Sequence, residues 1–79
     1  MTEYTKKEQE QINNLGKRIR DLRKKKGYDS HEKFAYEHGI SRSQYGRYEK
    51  GYNLKFNSLL KILEALDVSL AEFFAEGFE

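Results

Sequence analysis

His31-Glu32 is the first pair along the chain whose residue types could do catalysis. It matches the opening of the H-E-x-x-H helix of zinc proteases, where two histidines one turn apart hold the metal and the glutamate activates water. The fifth position is Ala35, so the second ligand is missing, and His38 comes seven residues after His31. Ser30, His31 and Glu32 adjoin in sequence, whereas a Ser-His-acid triad brings side chains together from separate places. There is no cysteine, which excludes thiolate zinc sites, thiol nucleophiles and disulfides. No phosphate loop is present. The expectation is a protein that is not an enzyme, with no catalytic residue, no metal and no cofactor.

Charge is the next feature able to do chemistry. The 79 residues carry a net charge of only +2, but unevenly. Gly16 to Lys55 holds twelve Lys/Arg against five Asp/Glu, a balance of +7. Phe56 to Glu79 holds one Lys against five acids, a balance of −4. A basic face fits a polyanionic partner. The plain alternative is a solvated helix surface, and charge alone leaves both open.

The elements that position these residues are helical. The length allows one domain over residues 1–79, with 1–10 read as a frayed extension and 68–79 as a dimerisation segment. Ile12, Leu15, Ile19 and Leu22 form one helical stripe. They predict a first helix from about Thr5 or Lys6 to Lys26, ended by Gly27, with Gly16 as its weak point. Asp29 or Ser30 caps a short second helix that turns Phe34 and Ala35 inward and stops at Gly39. Ser41 and Gln44 make a capping box, with Ile40 and Tyr45 as its hydrophobic staple, so a third helix runs from Arg42 to Lys50. Phe56, Leu59, Leu60, Ile62, Leu63 and Leu66 give a broad apolar face on a fourth helix, whose cap is Asn53 or Asn57. Ser69 with Glu72 is another box and Val68 with Phe73 another staple, for a fifth helix over about Leu70 to Ala75. No apolar run approaches the roughly 20 residues of a membrane span, and Met1 to Glu10 lacks a signal-peptide core. A cytoplasmic protein is the expectation.

Two short helices joined at a glycine turn, His31 to Lys50, read as a helix-turn-helix. Phe34, Ile40, Tyr45 and Tyr48 fill its apolar positions, Ala35 its point of closest approach, and Gly39 its turn. Gly16-Lys17-Arg18-Ile19-Arg20-Asp21-Leu22-Arg23, then Phe34-Ala35, Gly39-Ile40-Ser41-Arg42-Ser43, Tyr48-Glu49-Lys50-Gly51, Leu59 to Leu66 and Val68-Ser69 together resemble the Cro/phage-repressor type (XRE-type) regulators. The resemblance covers about Leu15 to Phe74.

It implies an all-α, compact five-helix, lambda-repressor-like domain with the helix-turn-helix at helices two and three. The third helix would enter the major groove of double-stranded DNA. Arg42, Ser43 and Arg47 would face base edges, since Arg bonds guanine O6 and N7 bidentately, with Gln44 adjacent unless the capping box occupies it. His31, Lys50, Tyr52 and Asn53 would meet phosphates. Arg23 and Glu49 would form a structural ion pair between helices one and three.

Four features depart from the family pattern. Tyr28-Asp29-Ser30 is one residue longer than in many relatives. Tyr45 and Tyr48 replace Ile or Leu, so their hydroxyls must reach the surface or a partner; Tyr48 is read as core filling ahead of approach to the DNA backbone. His38 stands where an apolar residue is common. Gly46 inside the recognition helix either lets it approach the groove closely or is a tolerated surface glycine.

The C-terminal Leu70, Phe73, Phe74 and Phe78 are many apolar groups for a short tail. They predict an interface, read as a homodimer on an inverted repeat, against a tail folded over its own core. The resemblance implies a small stand-alone bacterial or mobile-element transcriptional regulator with no small-molecule effector. The alternative is an antitoxin-like or other protein-interaction module using the aromatic tail on a protein partner.

Overall fold

The computed structural model describes residues 3–79, all helices and connections: α1 Lys6–Lys25, α2 His31–Glu37, α3 Arg42–Glu49, α4 Phe56–Leu66 and α5 Leu70–Phe73. The five helices are those read from the sequence. No described helix is long and apolar enough to cross a membrane.

α1 starts at Lys6 because Thr5 and Glu8 form a reciprocal capping box, Glu8 N donating to Thr5 Oγ1 at 3.1 Å and Thr5 N to Glu8 Oε1 at 2.8 Å. The stretch read as a frayed extension is thus helical from its sixth residue. The signal for this is local: Thr-x-x-Glu stands ahead of the apolar stripe, the same pattern that marks α5. At the other end Arg23, Lys24 and Lys25 face the negative pole of the helix dipole.

Ser30 caps α2 and Ser41 caps α3. Between them Gly39 has φ +68°, a conformation costly to side chains bearing Cβ. The box expected at Ser41 is half formed: Ser41 Oγ accepts from Gln44 N at 3.4 Å, while the Gln44 side chain makes no return bond. Lys55 holds the N-cap position of α4 with no side-chain bond, in place of Asn53 or Asn57. α5 has the full Ser69–Glu72 box; the bond from Ser69 N, then that from its hydroxyl, holds the Glu72 carboxyl below its ordinary pKa.

The core gathers Ile19 of α1, Phe34 and Ala35 of α2, Tyr45 of α3, four residues of α4 and Phe73 of α5. Two apolar readings change here. In α4, Leu59, Ile62, Leu63 and Leu66 are buried, but Phe56 and Leu60 remain 60% and 40% exposed. In the tail, Phe73 is fully buried in its own chain and Phe78 packs half-buried against the core, so neither is an open interface residue. Leu70 and Phe74 stay exposed. Phe74 stacks edge-on against Phe73 with centroids 4.9 Å apart.

Arg18, given no role from the sequence, fastens this tail. Its guanidinium donates to the carbonyls of Phe73 at 2.9 Å and Glu72 at 2.8 Å, and pairs with Glu76 at 3.1 Å. A fork of N–H donors thereby caps the Phe73 carbonyl and adds a bond to that of Glu72, which also accepts from Ala75 N at 3.3 Å.

Gly16 is no weak point. It is buried where α1 crosses α3, and a Cβ there would run into the carbonyl oxygen of Tyr48 and lie 3.0 Å from that of Glu49. Gly16→Ala adds roughly 1 kcal/mol of helix propensity but must push the two backbones apart. We expect a net loss of about 1–3 kcal/mol in urea unfolding, the range for overpacking; a net gain would contradict a tight crossing.

Candidate nucleic-acid interface

α3 has a buried and a solvent face. Inward, Tyr45 fills the core and Gly46 is also buried. Outward, Arg42, Ser43, Gln44 and Arg47 are all exposed. An open concavity next to α3 is lined by His31, Glu32, Ser41, Arg42, Ser43, Gly46, Arg47 and Lys50. It brings together five of the residues singled out from sequence: Arg42, Ser43, Arg47, His31 and Lys50. Glu32 is the only acid in this lining, and no part in DNA contact was read for it from the sequence.

Gln44 lines a different depression, with Tyr48 of α3 and Ser58 and Lys61 of α4. Its side chain is not held by the half-formed box, but it points to the α4 side of the helix-turn-helix. Tyr52 and Asn53 follow α3 in the connection to α4 and are exposed, with Asn53 Oδ1 accepting from Leu54 N at 3.0 Å.

Gly46 fits neither reading made for it. A Cβ there would stand 3.1 Å from His31 Nε2 and 3.3 Å from its Cδ2. The glycine is the seat of the His31 ring, which bridges the start of α2 to the middle of α3. His38 serves a separate site: it packs on Phe34 with centroids 4.6 Å apart, and its Nδ1 lies 2.9 Å from Phe34 O. The two histidines do not converge.

Tyr36, also without a role in the sequence reading, is 73% exposed on α2, and the Arg42 guanidinium sits 6.0 Å from its ring centroid. That is a cation–π contact at the edge of the useful range.

Behind this surface lies the Arg23–Glu49 pair. Arg23 Nε and Nη2 reach the two Glu49 oxygens at 2.8 and 3.0 Å, and Nη1 donates to Tyr28 O at 2.6 Å. The side chains are only 4% and 7% exposed. The hydrogen bond to Glu49 raises the Arg23 pKa against the opposing effect of burial. A buried pair survives only when its remaining donors are also matched, and the Tyr28 carbonyl does this.

The Tyr45 hydroxyl is buried beside that pair and meets no partner at hydrogen-bonding geometry. The sequence required it to reach the surface or a partner; it reaches neither. Tyr48, half-buried against the core, takes the filling role.

A helix-turn-helix family model matches residues 19–73. Among solved structures, the chain is similar to the restriction-modification controller protein C.AhdI from Aeromonas hydrophila. That likeness has a TM-score of 0.72 and 37% identity over 81% of this chain and 97% of that one. No curated protein matches the sequence. The chain belongs to the helix-turn-helix family of XRE type, the Cro and lambda-repressor class of DNA-binding transcription regulators.

Burial pushes the Tyr45 phenol far above its ordinary pKa, and the Glu49 carboxylate adds to the effect while Arg23 opposes it. A proton held more tightly folded than unfolded keeps its stabilisation below the usual phenol value near 10 and loses it as pH rises beyond. Tyr45→Phe should therefore flatten the fall in stability above about pH 10 in thermal melts. At pH 7 it should cost nothing or add about 1 kcal/mol, since it removes an unpaired buried hydroxyl. A loss of more than about 1 kcal/mol at pH 7 would mean that the hydroxyl has a partner.

Proposed function

We propose that this protein is a sequence-specific transcriptional regulator that binds an inverted repeat as a homodimer, with α3 in the major groove. The observation that carries the reading is the shared concavity. Arg42, Ser43 and Arg47 are exposed on one side of α3, with His31 and Lys50 in the same lining. Arg42 and Arg47 read guanine O6 and N7, and Ser43 tolerates either partner. His31, Lys50, Tyr52 and Asn53 meet phosphates and fix register. Gln44 stands apart from this set, on the α4 side. Likeness to a controller protein supports the same role here, control of restriction-modification genes.

Four large apolar side chains are exposed, Phe56 and Leu60 on α4, Leu70 on α5 and Phe74 at its C-cap, and they supply the surface for a second copy. Two-fold pairing places two recognition helices on half-sites one helical turn apart, about 34–36 Å. The same exposed residues would serve the alternative, docking of a different protein.

The first test is selection of duplexes from a random DNA pool at near-physiological salt. An inverted repeat with that half-site spacing should be enriched, and no enrichment by a folded protein would move the weight to a protein partner. On the selected operator, Arg42→Ala or Arg47→Ala should each cost about 1–3 kcal/mol and relax preference at one base per half-site.

The second test concerns the surface. Leu70→Glu with Phe74→Ser should leave the helical fold intact by circular dichroism and shift sedimentation from dimer to monomer. Operator affinity should fall with it. A dimer that survives both changes assembles elsewhere.

A further inference from the structure

We propose that Gln9, on the N-terminal part of α1, is a positioning residue for DNA binding. Its amide holds the turn after the recognition helix in the shape that presents Lys50, Tyr52 and Asn53 to phosphates. The inference rests on the phosphate role proposed above for those three residues.

The turn is closed on its own side by Gly51 N donating to Tyr48 O at 3.2 Å and Tyr52 N to Arg47 O at 3.1 Å. Gly51 has φ +98°. Its carbonyl takes a bond from outside: Gln9 Nε2 donates to Gly51 O at 3.0 Å across 42 residues of sequence, and to Asn13 Oδ1 at 3.0 Å. A carbonyl can only accept, so the Gln9 atom facing it is the amide nitrogen, and both its hydrogens are used. Asn13 packs on the same residue, since a Cβ on Gly51 would run into Asn13 Oδ1. Gln9 is half-buried in this contact.

The chemistry of the contact suits a neighbour of DNA. The C-terminal end of a helix carries partial negative charge, which opposes an approaching phosphate. An amide donor on the Gly51 carbonyl, just past this end, takes up a further backbone acceptor without adding an acid, and fixes the backbone between Lys50 and Tyr52. Gln9 lies ten residues ahead of the stretch matched by the family model, and it reaches Gly51 because the Thr5–Glu8 box starts α1 at Lys6.

The test uses the full chain with Gln9→Met, which keeps the shape but has no donor, Gln9→Glu, which faces the carbonyl with an acceptor, and Gln9→Lys, which restores a donor. Binding to duplex oligonucleotides, one selected and one of scrambled sequence, is measured across a salt series and expressed per folded dimer. Gln9→Met should weaken both duplexes about three- to tenfold and lower the slope of log K against log salt by about one, with base preference unchanged. Gln9→Glu should lose more, and Gln9→Lys should bind like the parent. Unchanged affinity and slope in Gln9→Met and Gln9→Glu would overturn the proposal, as would a drop in melting temperature with no loss per folded dimer. Lys50→Ala in the same assay separates the two readings. If it leaves affinity and slope unchanged, the phosphate role fails and the inference with it. If it lowers both while Gln9→Met does not, only the positioning role is wrong.

Discussion

The Arg23–Glu49 pair is the interaction on which the DNA-facing surface depends. α3 is only eight residues long, too short to hold its shape alone in water. It is a recognition helix because something behind it is rigid. Apolar packing through Tyr45 fixes its depth, but a core of this size leaves rotation and sliding poorly restrained. A two-pronged guanidinium–carboxylate contact restrains both, since it satisfies two distances at once. Removing either partner would strand a charge that is almost wholly out of water, a loss of about 3–5 kcal/mol in a fold whose total stability is only about 5–15 kcal/mol. The third bond, to the Tyr28 carbonyl, extends the restraint to the segment that leads into α2 and His31.

How much of this was legible in the sequence can be judged from particular residues. Helix order followed from apolar spacing and from Ser/Thr-x-x-Glu/Gln signals, which act locally. Arg42, Ser43 and Arg47 were named by the resemblance to XRE-type regulators, and the structure leaves all three exposed on α3. The roles of Gly16 and Gly46 were not legible. A glycine inside a helix looks like a local weakness, and only the neighbour above it, a backbone carbonyl of α3 in one case and the His31 ring in the other, turns it into a fitted contact.

The tail shows the same limit in another form. Leu70, Phe73, Phe74 and Phe78 lie on so short a helix and its extension that periodicity cannot sort inside from outside. Phe73 and Phe74 differ by one position, about 100° around the axis, and the structure buries the first completely while leaving the second 46% exposed. The Val68–Phe73 staple signal favours the first, and Arg18 fastens that orientation. By binding the carbonyls of Glu72 and Phe73 it sets the rotation of α5 against α1, and nothing in the local sequence of the tail reports a partner 55 residues away.

One pattern joins these contacts. Gln9, Gly16 and Arg23 are spaced by seven, so they fall along one stripe of α1, drifting by only ~20° per step. All three touch the end of α3 or the turn that follows it: Gln9 the Gly51 carbonyl, Gly16 the backbone of Tyr48 and Glu49, Arg23 the Glu49 carboxylate. The middle position has no side chain, so the helices meet backbone to backbone there. The outer two carry long side chains that reach in from about 10 Å to either side along the axis. Small at the centre and long at the flanks is the arrangement a crossing needs if one short helix is to be held at a fixed angle. The apolar stripe of Ile12, Leu15, Ile19 and Leu22 lies beside it on the same helix. α1 thus carries two seams: an apolar one that contributes to the core, and a polar one, spaced by seven, that aims the recognition helix.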